Sequence, residues 1–129
     1  MRVGISSTVL DAIRSHAAAE APREACGLLF GSKGLIDGIR AAANVADDPV
    51  RHFEIDPAAL FAAIRAERTG GPKLAGYYHS HPGGRAAPSE TDRAMAAPDS
   101  KLWLIVAGDA VTAWIAREGG FERVALSAS

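Results

Sequence analysis

The sequence predicts an α/β protein in which helices flank a mixed β-sheet, followed by an antiparallel meander at the C-terminal end. Through residues 1–97, stretches with apolar residues at helical spacing alternate with short apolar runs typical of strands. The final third shows three strand-like segments separated by glycine-containing turns, at residues 102–106, 111–117 and 121–126. We expect residues 1–129 to form a single domain, because this length is typical of one hydrophobic core.

The first half is predicted to contain two helices and three strands. Ser6 precedes apolar residues at helical spacing, and Pro22 ends that helix. Asp56 and Pro57 are typical of a second helix start, as N-cap and first helical residue. The predicted strands are residues 2–5, 24–31 and 35–44, of which the last two should form a hairpin.

A histidine pair lies at the end of the next predicted strand, residues 73–81. Side chains two positions apart in a strand point to the same side, so His79 and His81 should converge. Asp92 follows at the start of a third predicted helix, residues 89–97. Two imidazoles and one carboxylate suit zinc with its fourth position open for water, which is typical of a catalytic site.

Ser89 and Asp92 also have a purely structural interpretation. Their Ser-x-x-Asp spacing resembles a capping box, although Glu or Gln is the usual partner of the serine. Asp92 would then complement the helix dipole instead of binding a metal. The two roles are compatible if Ser89 caps the helix through its backbone carbonyl and presents its hydroxyl to the site.

Zinc-dependent hydrolysis requires a general base, and the local sequence does not identify one. The chain lacks an H-E-x-x-H motif, so the base must come from a distant segment. Glu24 leads an apolar run expected in the central sheet, but a solvated glutamate at a helix–strand junction is the simpler local interpretation. Other candidates by residue type are Glu20, Glu54 and Glu67.

Composition argues against several other classes of protein, namely nucleic-acid-binding, membrane-binding, secreted and disulfide-bonded ones. Hydrophobic residues make up 48% of the chain, which is enough for a folded core. The net charge is −1, so the chain lacks the excess of basic residues that would indicate nucleic acid or an anionic membrane as a partner. Residues 1–5 lack the apolar run of a signal peptide, and we expect a soluble cytoplasmic protein. Cys26 excludes an internal disulfide because it is the single cysteine. Inert packing is a simpler role for it than that of a nucleophile.

Three segments together resemble the JAMM, or MPN-plus, zinc metalloproteases (Mov34/PAD-1-like), in their compact bacterial form. The pattern is Glu24, then His-Ser-His-Pro at residues 79–82, then Ser-x-x-Asp at residues 89–92. Residues 22–29 and 53–57 are similar to the glutamate segment and to the entry into the second helix. The loop between the histidines and Ser89 departs from the pattern, with glycine and arginine where aspartate and proline are frequent.

The resemblance implies an MPN (JAB)-type fold and a zinc ion held by His79, His81 and Asp92. Glu24 would take a proton from the zinc-bound water and later pass one to the departing amine. Ser89 would hydrogen-bond the developing oxyanion. The implied activity is hydrolysis of the amide or isopeptide bond after the Gly-Gly tail of a ubiquitin-like or sulfur-carrier β-grasp protein.

Two alternative functions stay open at the level of sequence. A non-catalytic MPN-type binding or scaffold protein would use the same fold without turnover. A zinc hydrolase of small amides would use the same site on a different substrate. The H-x-E…P-C-x-x-C signature of nucleobase deaminases is absent, since the chain has one cysteine.

Overall fold

The computed structural model describes residues 2–129, so that only Met1, the first residue of the predicted domain, lies outside it. Within the described residues the strands are β1 (Arg2–Ile5), β2 (Cys26–Ser32), β3 (Leu35–Ala42), β4 (Leu74–Ser80), β5 (Leu102–Ala107), β6 (Ala110–Arg117) and β7 (Gly120–Ala128). The helices there are α1 (Ser7–Glu20), α2 (Pro57–Arg68) and α3 (Glu90–Met95). No helix among these three combines the length and apolarity that crossing a bilayer requires.

The strands form one closed barrel in the order β1-β3-β2-β4-β5-β6-β7, with β1 also pairing to β7. Pairing is parallel for β1 with β3 and β7 and for β4 with β5, and antiparallel elsewhere. The predicted mixed sheet and C-terminal meander are therefore confirmed. Closure was not predicted, because it pairs Arg2 with Ala125 across nearly the whole chain and leaves no local pattern.

The capping residues start the two long helices as expected. The Ser6 hydroxyl oxygen accepts a hydrogen bond from the Val9 amide at 3.2 Å, and the chain turns out of α1 before Pro22. The Asp56 carboxylate accepts from the Ala58 amide at 3.1 Å, with Pro57 as the first residue of α2. Satisfying these free amides fixes where each helix begins on the barrel.

Alternating side chains of β4 pack into different parts of the core. Tyr78 is buried in the cluster that joins the barrel to α1, together with Leu29 and Leu104. Its neighbour Tyr77 lies on the other side, beside a cluster that contains Trp103. This period of two places His79, two residues after Tyr77, among aromatic side chains and away from solvent.

Several boundaries differ from the sequence-based expectation by a few residues. β4 ends at Ser80, so His81 lies just beyond the strand, and α3 ends at Met95 instead of continuing to residue 97. Just before α2, Ile55 forms a single antiparallel bridge with Asn44. At the end of β4 the backbone still bonds to its neighbours, since the His81 amide donates to the Val106 carbonyl oxygen of β5 at 2.8 Å.

Candidate metal centre and active-site cleft

Three predicted ligand residues meet at one point. His79 Nε2 lies 3.0 Å from His81 Nε2 and 3.0 Å from Asp92 Oδ2, and His81 Nε2 lies 3.1 Å from the same carboxylate oxygen. His79 and Asp92 are buried, and the His81 side chain is 11% exposed. The structure thus brings together the two histidines and the aspartate that the sequence pattern predicted.

The two imidazoles are held by different contacts. His81 Nδ1 lies 2.7 Å from the Arg85 carbonyl oxygen, which can only accept, so Nδ1 carries the proton and Nε2 presents its lone pair to the cluster. The His79 ring stacks on Phe53 with centroids 4.2 Å apart and an interplanar angle of 19°. Trp103 meets the same ring edge-on at 5.5 Å. Both rings are therefore oriented before any ligand binds.

The start of α3 serves as helix cap and as part of the cluster. The Asp92 amide donates to the Ser89 hydroxyl oxygen at 3.0 Å, and the Ser89 amide donates to Asp92 Oδ2 at 3.0 Å. The capping interpretation is confirmed, and it does not compete with a role in the cluster, because the capping oxygen of Asp92 is also the one nearest the histidines. The cap uses the serine hydroxyl oxygen directly, not only its backbone carbonyl, and leaves the hydroxyl hydrogen free to donate.

The donor set fits a divalent metal ion. Two imidazole nitrogens and one carboxylate oxygen form a triangle with edges of 3.0, 3.0 and 3.1 Å. Ligands of tetrahedral zinc, with bonds of about 2.0–2.2 Å, lie about 3.3 Å apart, close to these edges. Three converging electron-rich atoms in a buried site must share either protons or a cation, and one divalent ion would satisfy all three at once, so the geometry fits a metal ion.

Burial and mutual hydrogen bonding shift the acidity of all three groups. Burial lowers the pKa of His79, despite its hydrogen bond with Asp92. Burial acts in the same direction on His81, but its hydrogen bonds with Asp92 and the Arg85 carbonyl outweigh this and raise its pKa. Burial of Asp92 is opposed by its contacts with both histidines, which hold the pKa of the carboxyl well below its ordinary value. Asp92 is therefore ionised at neutral pH, as a metal ligand must be.

Glu24 lies beside the histidines, in contrast to the solvated position that local sequence favoured. One of its carboxylate oxygens and a ring nitrogen each from His79 and His81 all lie within 4.8 Å of one another, a group that could hold a metal ion. The residue is 6% exposed, and Oε1 has no hydrogen-bond partner within residues 2–129. Burial, reinforced by the charge of Asp92 and opposed by His81, raises the pKa of Glu24 from 4.5 to about 7.

The other candidate glutamates lie elsewhere. Glu67 is occupied, since its Oε1 accepts a hydrogen bond from the Leu74 amide at 2.9 Å. Glu54 lines a separate apolar pocket, and Glu20 is the last residue of α1. Among the described residues that line the cleft over the cluster, Glu24 is the only carboxylate.

The cleft has a volume of about 570 Å³ and reaches both Glu24 and Ser89. Two loops contribute to its walls: the segment after β3, with the exposed Val50, and the segment after β4. Its remaining lining residues are His81, Pro82, Gly84, Arg85, Ala87, Pro88 and Arg93. An extended chain could therefore reach Glu24, Ser89 and the exposed edge of the cluster at once.

Sequence reasoning missed three supporting residues. The Ser80 hydroxyl oxygen accepts from the Ala25 amide at 2.8 Å and joins the glutamate segment to the histidine strand. Asn44 is buried and bonded to the Glu24 carbonyl, and Phe53 forms the stack on His79. A serine between two motif histidines was a signal for Ser80, since alternation turns it away from the metal side. Asn44 and Phe53 gave no comparable signal.

Cys26 is fully buried beside Phe53 and Trp103, and burial raises the pKa of its thiol to about 12. A thiol that stays protonated at neutral pH is a poor nucleophile, so the packing role predicted for it agrees with the structure.

Comparisons with known proteins agree with the fold and the site. Residues 6–118 match the family described as prokaryotic homologs of the JAB domain. The chain is 32% identical to a desampylase of Haloferax volcanii, over 84% of this chain and 82% of that protein. It is 35% identical to a probable TtuB-protein conjugate cleaving protease of Thermus thermophilus, over 92% of this chain and 77% of the relative.

A solved structure, protein DSY2949 of Desulfitobacterium hafniense, superposes with a TM-score of 0.87 at 25% identity and covers 100% of this chain and 93% of its own. The predicted MPN (JAB)-type fold is thereby confirmed, and so is the predicted enzyme class, a hydrolase. The chain belongs to the family of prokaryotic JAB-domain homologs, as its resemblance to compact JAMM proteins predicted.

Proposed function

We propose that this protein is a zinc-dependent isopeptidase or peptidase that hydrolyses the amide bond after the Gly-Gly tail of a ubiquitin-like or sulfur-carrier protein. The observation that carries the proposal is the convergence of His79, His81 and Asp92 next to Glu24, a buried carboxylate whose Oε1 has no hydrogen-bond partner within residues 2–129. The names of the relatives, a desampylase and a conjugate-cleaving protease, support conjugates of small protein modifiers as the substrate class.

His79, His81 and Asp92 would hold the zinc ion through Nε2, Nε2 and Oδ2. A bound zinc ion would polarise the scissile carbonyl and lower the pKa of a water molecule enough to make it a nucleophile near neutral pH. The Arg85 carbonyl keeps His81 in the tautomer that can ligate, and Phe53 holds the His79 ring in plane. The chain thus supplies both the ligands and the contacts that orient them.

Glu24 would act as the general base and then as the general acid. Its pKa of about 7 lets the carboxylate accept a proton from the attacking water and return one to the departing amine near neutral pH. The absence of a hydrogen-bond partner on Oε1 within residues 2–129 leaves that oxygen available for the proton.

Ser89 would stabilise the oxyanion that forms as the carbonyl is attacked. The Ser89 hydroxyl oxygen already accepts a hydrogen bond from the Asp92 amide, so the hydroxyl hydrogen points away from that amide and is available to a substrate oxygen. Ser89 and Glu24 line the same cleft, which supports a role for both on one bound substrate.

The test is cleavage of purified conjugates, followed by intact-protein mass spectrometry. A β-grasp protein ending in Gly-Gly is joined to a lysine side chain or to a following peptide, and a matched conjugate carries Ala-Ala instead. We expect hydrolysis after Gly-Gly, loss of activity with a chelator and recovery on adding zinc. Activity that survives chelation would contradict the metal mechanism. Turnover of small amides alone would instead assign the site to small-molecule hydrolysis.

A further inference from the structure

The side chain of Asn44 makes five hydrogen bonds just beyond the end of β3. The two hydrogens of its Nδ2 are shared among three carbonyl oxygens, those of Glu24 at 2.9 Å, His52 at 3.0 Å and Pro49 at 3.3 Å. Its Oδ1 accepts from the amides of Ala46 at 3.0 Å and Glu54 at 3.2 Å. The residue is 7% exposed, so these bonds form where water does not compete.

The hydrogen-bond partners determine which end of the Asn44 side-chain amide is the oxygen and which is the nitrogen. Three carbonyl oxygens surround one end and two N–H groups the other, so a reversed amide would set donors against donors and acceptors against acceptors. Asn44 therefore clamps the whole loop from Ala46 to Glu54 onto the segment that carries Glu24.

The position of Glu24 depends on this loop because the residue lies outside the paired part of β2 and its Oε1 makes no hydrogen bond within residues 2–129. β2 begins two positions later, at Cys26. The carboxylate is thus placed through the backbone of its own residue. That backbone bonds to the loop on both sides, since the Glu24 amide donates to the Pro49 carbonyl at 2.7 Å and the Glu24 carbonyl accepts from Asn44.

The next residue is tied to the metal-ligand strand instead. The Ala25 amide donates to the Ser80 hydroxyl oxygen at 2.8 Å, and the Ser80 amide donates to the Ala25 carbonyl at 3.0 Å. Ser80 lies between the two histidines. The distance from Glu24 to the cluster is therefore set between two anchors, Ser80 on the histidine side and Asn44 on the loop side.

We propose that Asn44 is a positioning residue that sets where the Glu24 carboxylate stands relative to the His79–His81–Asp92 cluster. The inference rests on the role proposed above for Glu24 as the general base. Asn44 bonds directly to the Glu24 carbonyl but makes no hydrogen bond to any of the three cluster residues, and it reaches His79 only through the loop that carries Phe53. Its loss should therefore impair proton transfer much more than metal binding.

The main test compares Asn44→Ala and Asn44→Ser with Val124→Ala. Val124 is buried in β7 and serves as a control for lost stability without a contact to this loop. Misplacing a catalytic group by about 1 Å can cost about 100-fold, so we expect kcat of the Asn44 variants to fall by about that factor. Zinc affinity, measured by chelator competition, should fall by a much smaller factor than kcat, because Asn44 contacts His79 only indirectly, through the loop that carries Phe53.

A double variant separates positioning from general loosening of the fold. If Asn44 acts through Glu24, the variant that combines Asn44→Ala with Glu24→Gln should turn over no more slowly than Glu24→Gln alone. Losses that multiply would overturn the proposal. A kcat loss in Val124→Ala equal to that in Asn44→Ala would overturn it as well.

Amide hydrogen exchange tests the clamp without relying on turnover, first in the wild-type protein and then in two variants. The amides of Glu24, Ala46 and Glu54 should be protected in the wild-type protein, and protection should drop in Asn44→Ser but not in Val124→Ala. Unprotected amides in the wild type would overturn the inference by themselves. If the wild type cleaves no conjugate, the proposed function fails, while the exchange data still decide whether Asn44 holds Glu24.

Discussion

The metal-ligand cluster and Glu24 lie side by side but are held in place by different means. The side chains of His79, His81 and Asp92 touch one another, and Phe53, Arg85 and the α3 cap fix them further. In the described part of the chain, Oε1 of Glu24 has no hydrogen-bond partner, and the residue is held by backbone hydrogen bonds to a loop. If the cluster binds zinc and Glu24 is the base, as we propose, this difference predicts that metal affinity and proton transfer can be damaged separately.

The largest expected effect comes from removing the negatively charged ligand. Asp92→Asn keeps an oxygen that can accept from the Ser89 amide, so the α3 cap should survive while the charged donor to zinc is lost. We expect no stoichiometric zinc by elemental analysis and turnover as low as that of chelated wild type. Asp109→Asn, in the exposed turn between β5 and β6, is the matched control and should retain both properties. Full zinc occupancy in Asp92→Asn would break the assignment of this ligand.

The next largest effect is expected from removing the proposed general base, Glu24. Glu24→Gln preserves the shape of the side chain but cannot take a proton, and general-base catalysis typically contributes about 10²- to 10⁴-fold. We expect kcat to fall within that range while zinc stays bound in a 1:1 ratio. Glu54→Gln, a change to an exposed glutamate outside the cleft, should behave as wild type. Normal turnover by Glu24→Gln would transfer the role of base to another residue.

Ser89 has two roles in this account: it caps α3 next to Asp92, and we propose that its hydroxyl donates to the oxyanion. Ser89→Ala and Ser89→Gly remove the same hydroxyl, so both should lower kcat by about 100-fold if it stabilises the oxyanion. Alanine should also lower the free energy of unfolding by about 1 kcal/mol, whereas glycine costs a few tenths, about the usual difference at an N-cap. A kcat loss that tracks stability would show that the cap alone explains the residue.

The smallest effect is a pH dependence of stability in the metal-free protein. The pKa of Glu24 is raised from 4.5 to about 7 on folding, so the folded state holds this proton more tightly than the unfolded state. Its contribution to stability is complete below about pH 4.5 and is lost as the pH rises through about 7, by about 3 kcal/mol at most. Glu24→Gln should lack this loss.

Urea unfolding of both proteins in chelator from pH 5 to 8 measures that difference. Asp92 contributes in the opposite sense, with stability lost as the pH falls, but it is common to both proteins and cancels in the comparison. A constant difference across the range would contradict the buried environment described for Glu24.

The sequence predicted the cluster better than it predicted the base, for a physical reason. His79, His81 and Asp92 come from a strand end and the next helix start, where period-two alternation and capping chemistry act within a few residues. Glu24 reaches the cluster only because β2 pairs with β4, and from local patterns alone it was one of several glutamates. Only the family resemblance distinguished it.

For the fold, too, features that depend on local residues were predicted and features that depend on distant segments were not. Helix starts at Ser6 and Asp56 and the C-terminal meander follow from local residues, and they were predicted correctly. Barrel closure through β1 and β7 and the five bonds of Asn44 depend on contacts between distant segments. A single sequence carries no periodic signal for such contacts.

The most direct test of the central claim is a crystal of the zinc-loaded protein with anomalous scattering measured at the zinc absorption edge. We predict one peak, bonded to Nε2 of His79, Nε2 of His81 and Oδ2 of Asp92, with the Glu24 carboxylate next to it but outside its ligands. A peak at any other group of residues, or the absence of a peak between these three atoms, would contradict the account.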